Sequence, residues 1–221
     1  MSYERLLIVS DVDSTFIGQE VIELIARRAG TEVQVTAITE AAMRGEIDFA
    51  ESLRARVATL AGVEVSVFDA VRTEVTLTPG VPELLDWASE HGHAIGLVSG
   101  GFHEIIDPIA RNLRIRHVRA NRLAVADGRL TGDMEGPIID RAAKARALEA
   151  FARDEGVPLG ATVAIGDGAN DLDMLSAAGL SVAFGSRRVV TDRADLTLPG
   201  PRLDGLIPVL AGLRDRENCQ H

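Results

Sequence analysis

The chain has 221 residues, 46% hydrophobic and 25% charged, which suits one large globular domain or one domain carrying an insertion, and excludes a disordered protein. Its formal net charge of -10 excludes a general affinity for nucleic acid or anionic membrane, both of which require a cationic surface, so an anionic substrate needs local cations or a metal. No stretch of about eighteen apolar residues and no long signal-type apolar region occurs, so a cytoplasmic protein is expected, and the single cysteine, Cys219, sits in a polar tail with no internal disulfide partner.

In chain order, the first element is an apolar strand, Leu6 to Ser10, that ends abruptly in Asp11-Val12-Asp13-Ser14-Thr15. From Ile17 to Thr76 strand patterns are absent. Helical ones replace them: Glu20 to Ala29 stops at Gly30, Glu32 to Arg44 at Gly45, and Phe49 to Leu60 at Gly62, with Phe49, Leu53, Val57 and Leu60 on one face. Strand and helix then alternate. Helix Val81 to Glu90 precedes strand Ala94 to Ser99, which runs into Ser99-Gly100-Gly101, and helix Ile105 to Leu113 follows. Asp127-Gly128 reads as the turn of a short hairpin between Val118 to Val125 and Arg129 to Gly132. Helix Ala142 to Arg153 carries Lys144 near its start; strand Thr162 to Ile165 opens onto Gly166-Asp167-Gly168-Ala169-Asn170-Asp171; and Ser181 to Phe184 is a further strand. The expected fold class is α/β: a Rossmann-like parallel sheet with helices on both faces, built from residues 1–16 and 77–221, plus a helical cap inserted over residues 17–76 and the hairpin. Thr78-Pro79-Gly80 reads as one of the hinges of that cap.

Four separated segments carry chemistry: Asp11 to Thr15, Ser99 to Gly101, Lys144, and Gly166 to Asp171. Each falls at a strand end or a helix start, and ligands of parallel sheets bind beyond the carboxyl ends of the strands. Carboxylates gathered around one lysine need a counter-charge, and oxygen donors without a His or Cys cluster suit a hard cation such as Mg²⁺ rather than zinc. The chemistry that needs this set is phosphoryl transfer to a carboxylate, because a metal, a lysine, a hydroxyl and backbone N–H groups offset the repulsion between aspartate and phosphate. Asp11 is the candidate nucleophile. Asp13, two residues on and therefore on the same side of an extended strand, is the candidate acid that protonates the leaving alkoxide and later activates water.

Asp-x-Asp-Ser-Thr, Ser-Gly-Gly, the isolated lysine and Gly-Asp-Gly-x-Asn-Asp, in this order, resemble the four motifs of the haloacid-dehalogenase-like phosphatases. Asp11 to Phe16 followed by Glu20, then Met43, Phe49 and Arg56, then Ser99 to Phe102, is similar to the branch of that family that acts on O-phospho-L-serine, over nearly the whole chain. The resemblance implies Mg²⁺ held by the side chains of Asp11 and Asp167 and the backbone carbonyl of Asp13, with Asp171 steadying the surroundings. It also implies that Ser99, the Gly100 amide, Lys144 and Asn170 hold the phosphoryl group. Glu20 would meet the substrate ammonium and Arg56 its carboxylate, with Met43 and Phe49 forming an apolar lid. A zwitterionic amino acid does need one anion and one bidentate cation. The segment Phe184-Gly185-Ser186-Arg187-Arg188 departs from the lysine-containing run of many relatives, and the regulatory N-terminal domains of longer relatives are not expected.

Taken singly, the motifs have plainer readings: Asp-x-Asp also caps helices, Ser-Gly-Gly also makes turns, and Lys144, Glu20 and Arg56 could be solvated helix charges. Two other functions stay open: a phosphatase or phosphotransferase acting on another small phosphate ester, for example a phosphosugar or with homoserine as acceptor, and a receiver-like signalling module that only accepts a phosphoryl group. His103 is unassigned; His91, His93, His117 and His221 read as surface residues, and Trp87 as a helix-core aromatic.

Overall fold

A computed structural model describes residues 4–185 and 188–215; the side chain of Met43, the Ser186–Arg187 step and Cys219 lie outside the described residues. Seven strands form one sheet: β1 (Leu7–Asp11), β2 (Ala94–Phe102), β3 (His117–Ala126), β4 (Arg129–Glu135), β5 (Thr162–Gly166), β6 (Leu180–Phe184) and β7 (Leu196–Leu198). Their order is β4-β3-β2-β1-β5-β6-β7, parallel throughout except for the β3–β4 hairpin. Every residue of β1 is buried, as expected for a central strand of a sheet covered on both faces. This is the α/β, Rossmann-like fold.

The helices are α1 (Val21–Ala29), α2 (Glu32–Met43), α3 (Phe49–Ala58), α4 (Val67–Glu74), α5 (Val81–Glu90), α6 (His103–Asn112), α7 (Arg141–Glu155), α8 (Leu172–Ala177), α9 (Arg188–Thr191) and α10 (Ile207–Asp215). Among the described residues none is long and apolar enough to cross a membrane. Helices α1 to α4 all lie between β1 and α5. The two chain passages that flank them are joined by an Ile17–Leu77 bridge and by bonds from Gly18 N to Thr76 O (3.0 Å) and from Thr78 N to Phe16 O (3.0 Å). On the far side the Gly62–Val65 stretch pairs with the hairpin through Gly62 N to Leu130 O and Leu130 N to Val63 O, both 2.8 Å. The helical segment is thus closed at its base by bonds between its two flanking passages and joined on the far side to the hairpin.

Several sequence expectations need adjustment. β2 continues to Phe102 and α6 starts at His103, because the Ser-Gly-Gly segment stays extended past the sheet's end. Helix α4 and strand β7 are additional. β7 is only three residues long at the sheet edge, too short to show a period. The hairpin turn is as expected, with φ of 50° at Asp127 and 73° at Gly128, the left-handed pair a two-residue turn of this kind requires. His93 is not a surface residue: it is 8% exposed, and its Nδ1 accepts the Leu6 N–H at 3.2 Å, closing the start of β1. His117 is half-buried against Glu155, and His103 joins α6 to β3 through Asp107 and the Ala120 N–H. Trp87 clusters with the His91 and His93 rings at the edge of the core.

Candidate functional site

The connection from β1 goes to β2 on one side, and the chain returns to β5 on the other, so β1 stands at the topological switch point where such sheets open a crevice. Asp11 ends β1 beside Val98 of β2, and Ser10 pairs with Ile165 of β5, so Ser99 and Asp167 arrive next to Asp11 from either side. After Asp11 the chain makes one irregular turn, closed by Ile17 N on Val12 O at 2.9 Å, with Ser14 at φ 58°. That left-handed step is unfavourable for serine. It turns the Ser14 hydroxyl onto Glu20 Oε1 (2.7 Å) and leaves Thr15 Oγ1 facing Asp167 Oδ1 (3.3 Å).

Lys144 is the fully buried cation of the site. The Asp140 side chain caps α7 by accepting the Ala143 N–H, which sets the first turn so that Lys144 points at the end of β1. Its ammonium donates to Asp11 Oδ1 (2.7 Å) and Asp171 Oδ1 (2.6 Å). Burial alone would lower its pKa, but the two carboxylates reverse the effect and hold it above its ordinary value, so the lysine stays charged. Asp171 is spoken for on both oxygens, since its Oδ2 accepts the Gly168 N–H at 3.0 Å. Gly166 has no room for a side chain because a Cβ would lie 2.6 Å from Asp171 Cβ.

Carboxylate oxygens of Asp11, Asp167 and Asp171 all lie within 4.8 Å of one another. Burial first, then the Asp171 charge, raises Asp11 well above the ordinary carboxylate range and Asp167 to about 6. Three carboxylates against one ammonium leave two negative charges in excess, and their donors are hard oxygens, so this cluster fits a divalent cation.

Asp13 lies across from this cluster. Its Oδ1 accepts the Val21 N–H at the first turn of α1 (2.7 Å), and its Oδ2 accepts the Ser99 hydroxyl (2.7 Å). Burial raises its pKa against those two bonds. Ser99 in turn accepts the Gly101 N–H at 2.7 Å. Gly101 is glycine for lack of space: a Cβ there would sit 2.7 Å from Asp13 Oδ2 and 3.0 Å from Ser99 Oγ.

Above these groups opens a cavity of about 890 Å³, lined by Asp11, Asp13, Gly100, Asp167 and Asn170 from the sheet side and by Glu20, Phe49 and Arg56 from the helical segment. The structure thus brings the expected residues other than Met43 to one place, with Ser99 and Lys144 fully buried. Phe49 reaches over the Ser-Gly-Gly segment, where a Cβ on Gly100 would lie 3.2 Å from its ring. Glu20 is pushed up to about 7 by burial and by the nearby Asp13 charge, opposed by its Ser14 bond. Burial lowers Arg56, while Glu20 and Asp13 pull it the other way.

Asn121 is a residue the sequence reading missed. Buried at 2% exposure, it donates from Nδ2 to the Gly100 carbonyl (2.8 Å) and accepts the Ile139 N–H (2.8 Å), so one amide orients the Ser-Gly-Gly segment and the approach to α7. Its partners lie 21 and 18 residues away, and no local pattern announces such contacts. Ser14 and Thr15 lie in the Asp-x-Asp-Ser-Thr motif, and their bonds to Glu20 and Asp167 follow from the turn after β1 and have no signal in the sequence.

The chain belongs to the haloacid dehalogenase-like hydrolases, whose family model matches residues 8–176. Within that family it is 53% identical over 209 residues to the phosphoserine phosphatase of Streptomyces coelicolor, covering 95% of this chain and 51% of that protein. The chain therefore spans about half the length of that curated relative. The phosphoserine phosphatase of Lactococcus lactis is 44% identical over 96% of this chain and 98% of its own length. A solved structure described as a phospho-aspartyl intermediate analogue of phosphoserine phosphatase superposes with a TM-score of 0.88 at 38% identity, covering 94% of this chain and 99% of the other.

Proposed function

We propose that the chain is a Mg²⁺-dependent phosphatase that hydrolyses O-phospho-L-serine to L-serine and inorganic phosphate through an aspartyl phosphate on Asp11. The observation that carries this reading is a single cavity with Asp11 and Asp13 at one end and an unlike-charged pair, Glu20 and Arg56, on its helical wall. A phosphate ester alone would need only the first end. The second suits an ammonium and a carboxylate on one small molecule. Relatives named for phosphoserine support the assignment, and membership of a hydrolase family weighs against a signalling module.

Asp11, Asp167 and the Asp13 carbonyl would hold the metal, with Asp171 kept on Lys144 and the Gly168 amide. Bound there, the cation supplies positive charge that offsets the repulsion between carboxylate and phosphate. Lys144 favours the ionised form of Asp11 and aligns it for attack on phosphorus. As the Asp11–phosphorus bond forms, the bond from phosphorus to the seryl oxygen breaks, and Asp13 gives that oxygen its proton. In the second half, water attacks phosphorus, Asp13 takes the water proton, and the Asp11 carboxylate leaves. Ser99 links the two roles. When Asp13 carries a proton it is a poorer acceptor for the Ser99 hydroxyl, whose O–H can then turn toward a phosphoryl oxygen beside the Gly100 amide while Asp13 keeps its proton for the seryl oxygen. Asn170 completes the phosphoryl contacts from the β5 side.

In this reading residues 17–76 act as a cap domain on the core of 1–16 and 77–221, and Phe49 excludes water above the phosphoryl group. The test is phosphate release from O-phospho-L-serine with Mg²⁺, beside EDTA, an Asp11→Asn variant, and two phosphate esters lacking the amino-acid head. Turnover that needs the metal and Asp11 and favours phosphoserine is the expected result. Equal turnover of the plain esters would remove the Glu20/Arg56 assignment, and turnover by Asp11→Asn would remove the mechanism.

A further inference from the structure

Ser52 lies in α3 one helical turn before Arg56 and lines the same cavity. Residues four apart share a helix face, so the two side chains stand as neighbours on the wall that faces the substrate head. Ser52 is 1% exposed, and its Oγ has no hydrogen-bond partner. That is costly, because a buried hydroxyl without a partner forfeits its bonds to water.

The usual remedy is available and unused. A helical serine or threonine commonly bonds back to the carbonyl three or four residues earlier. Thr39 does so with Val35 O (2.9 Å), Thr59 with Arg56 O and Thr73 with Ala70 O (both 2.7 Å). For Ser52 the carbonyl four residues back, that of Asp48, takes the Ser52 N–H at 2.9 Å, and the hydroxyl makes no bond to it. The Ser52 carbonyl meanwhile receives Arg56 Nε at 3.4 Å, which leaves the two terminal nitrogens of Arg56 without a hydrogen bond or ion pair among the described residues.

We propose that the Ser52 hydroxyl is a specificity-determining donor that, beside the Arg56 fork, binds the α-carboxylate of the substrate. This rests on the phosphoserine reading above. A carboxylate offers about four lone-pair sites, of which a guanidinium fork fills two, so a third donor on the same helical face has a place to go. Ser52 thereby helps to separate amino-acid esters from esters that carry the ammonium alone.

The experiment compares the parent with Ser52→Ala on O-phospho-L-serine and on O-phosphoethanolamine, which keeps the ammonium and lacks the carboxylate, and records thermal unfolding of both proteins without substrate. The expected result is a KM for phosphoserine raised by about tenfold with little loss in kcat, the size of one hydrogen bond to a charged group. On phosphoethanolamine kcat/KM should change less than twofold. Unfolding of Ser52→Ala should occur at the same or a higher temperature, because the substitution removes an unpaired polar atom and places a better helix former. Equal losses on both esters, an unchanged KM for phosphoserine, or a clearly lowered unfolding temperature would each overturn the proposal. A parent enzyme that does not prefer phosphoserine over phosphoethanolamine would overturn the phosphoserine reading as well, so the two failures are told apart by the parent alone.

Discussion

Replacing Lys144 with methionine keeps the length and much of the volume of a fully buried side chain while deleting its charge. At an effective dielectric of about 20, unit charges about 2.7 Å apart attract by about 6 kcal/mol. Lys144 has two such partners, Asp11 at 2.7 Å and Asp171 at 2.6 Å. Much of that attraction offsets the desolvation of the ammonium, and stranding the charges left by one partner of a buried pair costs about 3–5 kcal/mol net. The variant leaves the carboxylates of Asp11, Asp167 and Asp171, with oxygens within 4.8 Å of one another, facing no ammonium. Urea unfolding in EDTA at pH 7.5 (chosen as about neutral) should therefore show a loss of about 3–5 kcal/mol, a large share of a typical domain stability of about 5–15 kcal/mol. Without Lys144 the folded-state pKa values of Asp11 and Asp167, which already lie above their unfolded values, rise further. A raised carboxylate favours the folded state at low pH, so the deficit relative to the parent should shrink as pH falls from about 7 to about 5. Added Mg²⁺ should shrink it as well, while kcat stays down by at least about 10²–10³-fold for want of one phosphoryl-binding cation. A deficit below about 1 kcal/mol in EDTA, or one indifferent to both pH and Mg²⁺, would refute the charge balance drawn for this site.

Two further tests probe the ends of the cavity. Glu20, raised to about 7, is ionised above that pH and neutral below it, and only the carboxylate can pair with an ammonium. As pH falls from about 8 to about 6, KM for phosphoserine should rise more steeply than KM for an ester without an amine, the phosphate's own ionisation being common to both. Parallel profiles for the two esters would count against the ammonium contact, and Glu20→Gln should remove the difference. At the other end, Gly101→Ala places a Cβ 2.7 Å from Asp13 Oδ2 and displaces the proton-transfer group. A fall in kcat of about 10²-fold or more with an unchanged circular dichroism spectrum is expected, and near-parental kcat would show that Asp13 tolerates displacement.

The chemistry of this protein was legible where it is written locally. Asp11 and Asp13 sit two apart at the end of an apolar strand, Ser99 is followed by two glycines, and Asp167, Asn170 and Asp171 share one short segment. The strand and helix periods that place them are equally local, since burial on both faces makes β1 a continuous apolar run. What those patterns do not contain is a distance between segments. Lys144 reads as an ordinary helix lysine until the fold lays α7 across the end of β1, 133 residues away in sequence, and only there does its charge acquire partners. Asn121 and the bridge from Glu64 to Arg129 are invisible for the same reason: long-range hydrogen bonds leave no period in the chain. Ser52 shows the limit from the other side, because a serine in a helix is unremarked in sequence and becomes informative only when packing buries its hydroxyl against a cavity and leaves it unpaired. The residue types and their order determined which reaction is possible, whereas sheet order and helix packing decided which charges share a buried volume, and in a low-dielectric interior it is that sharing that sets protonation, metal affinity and specificity.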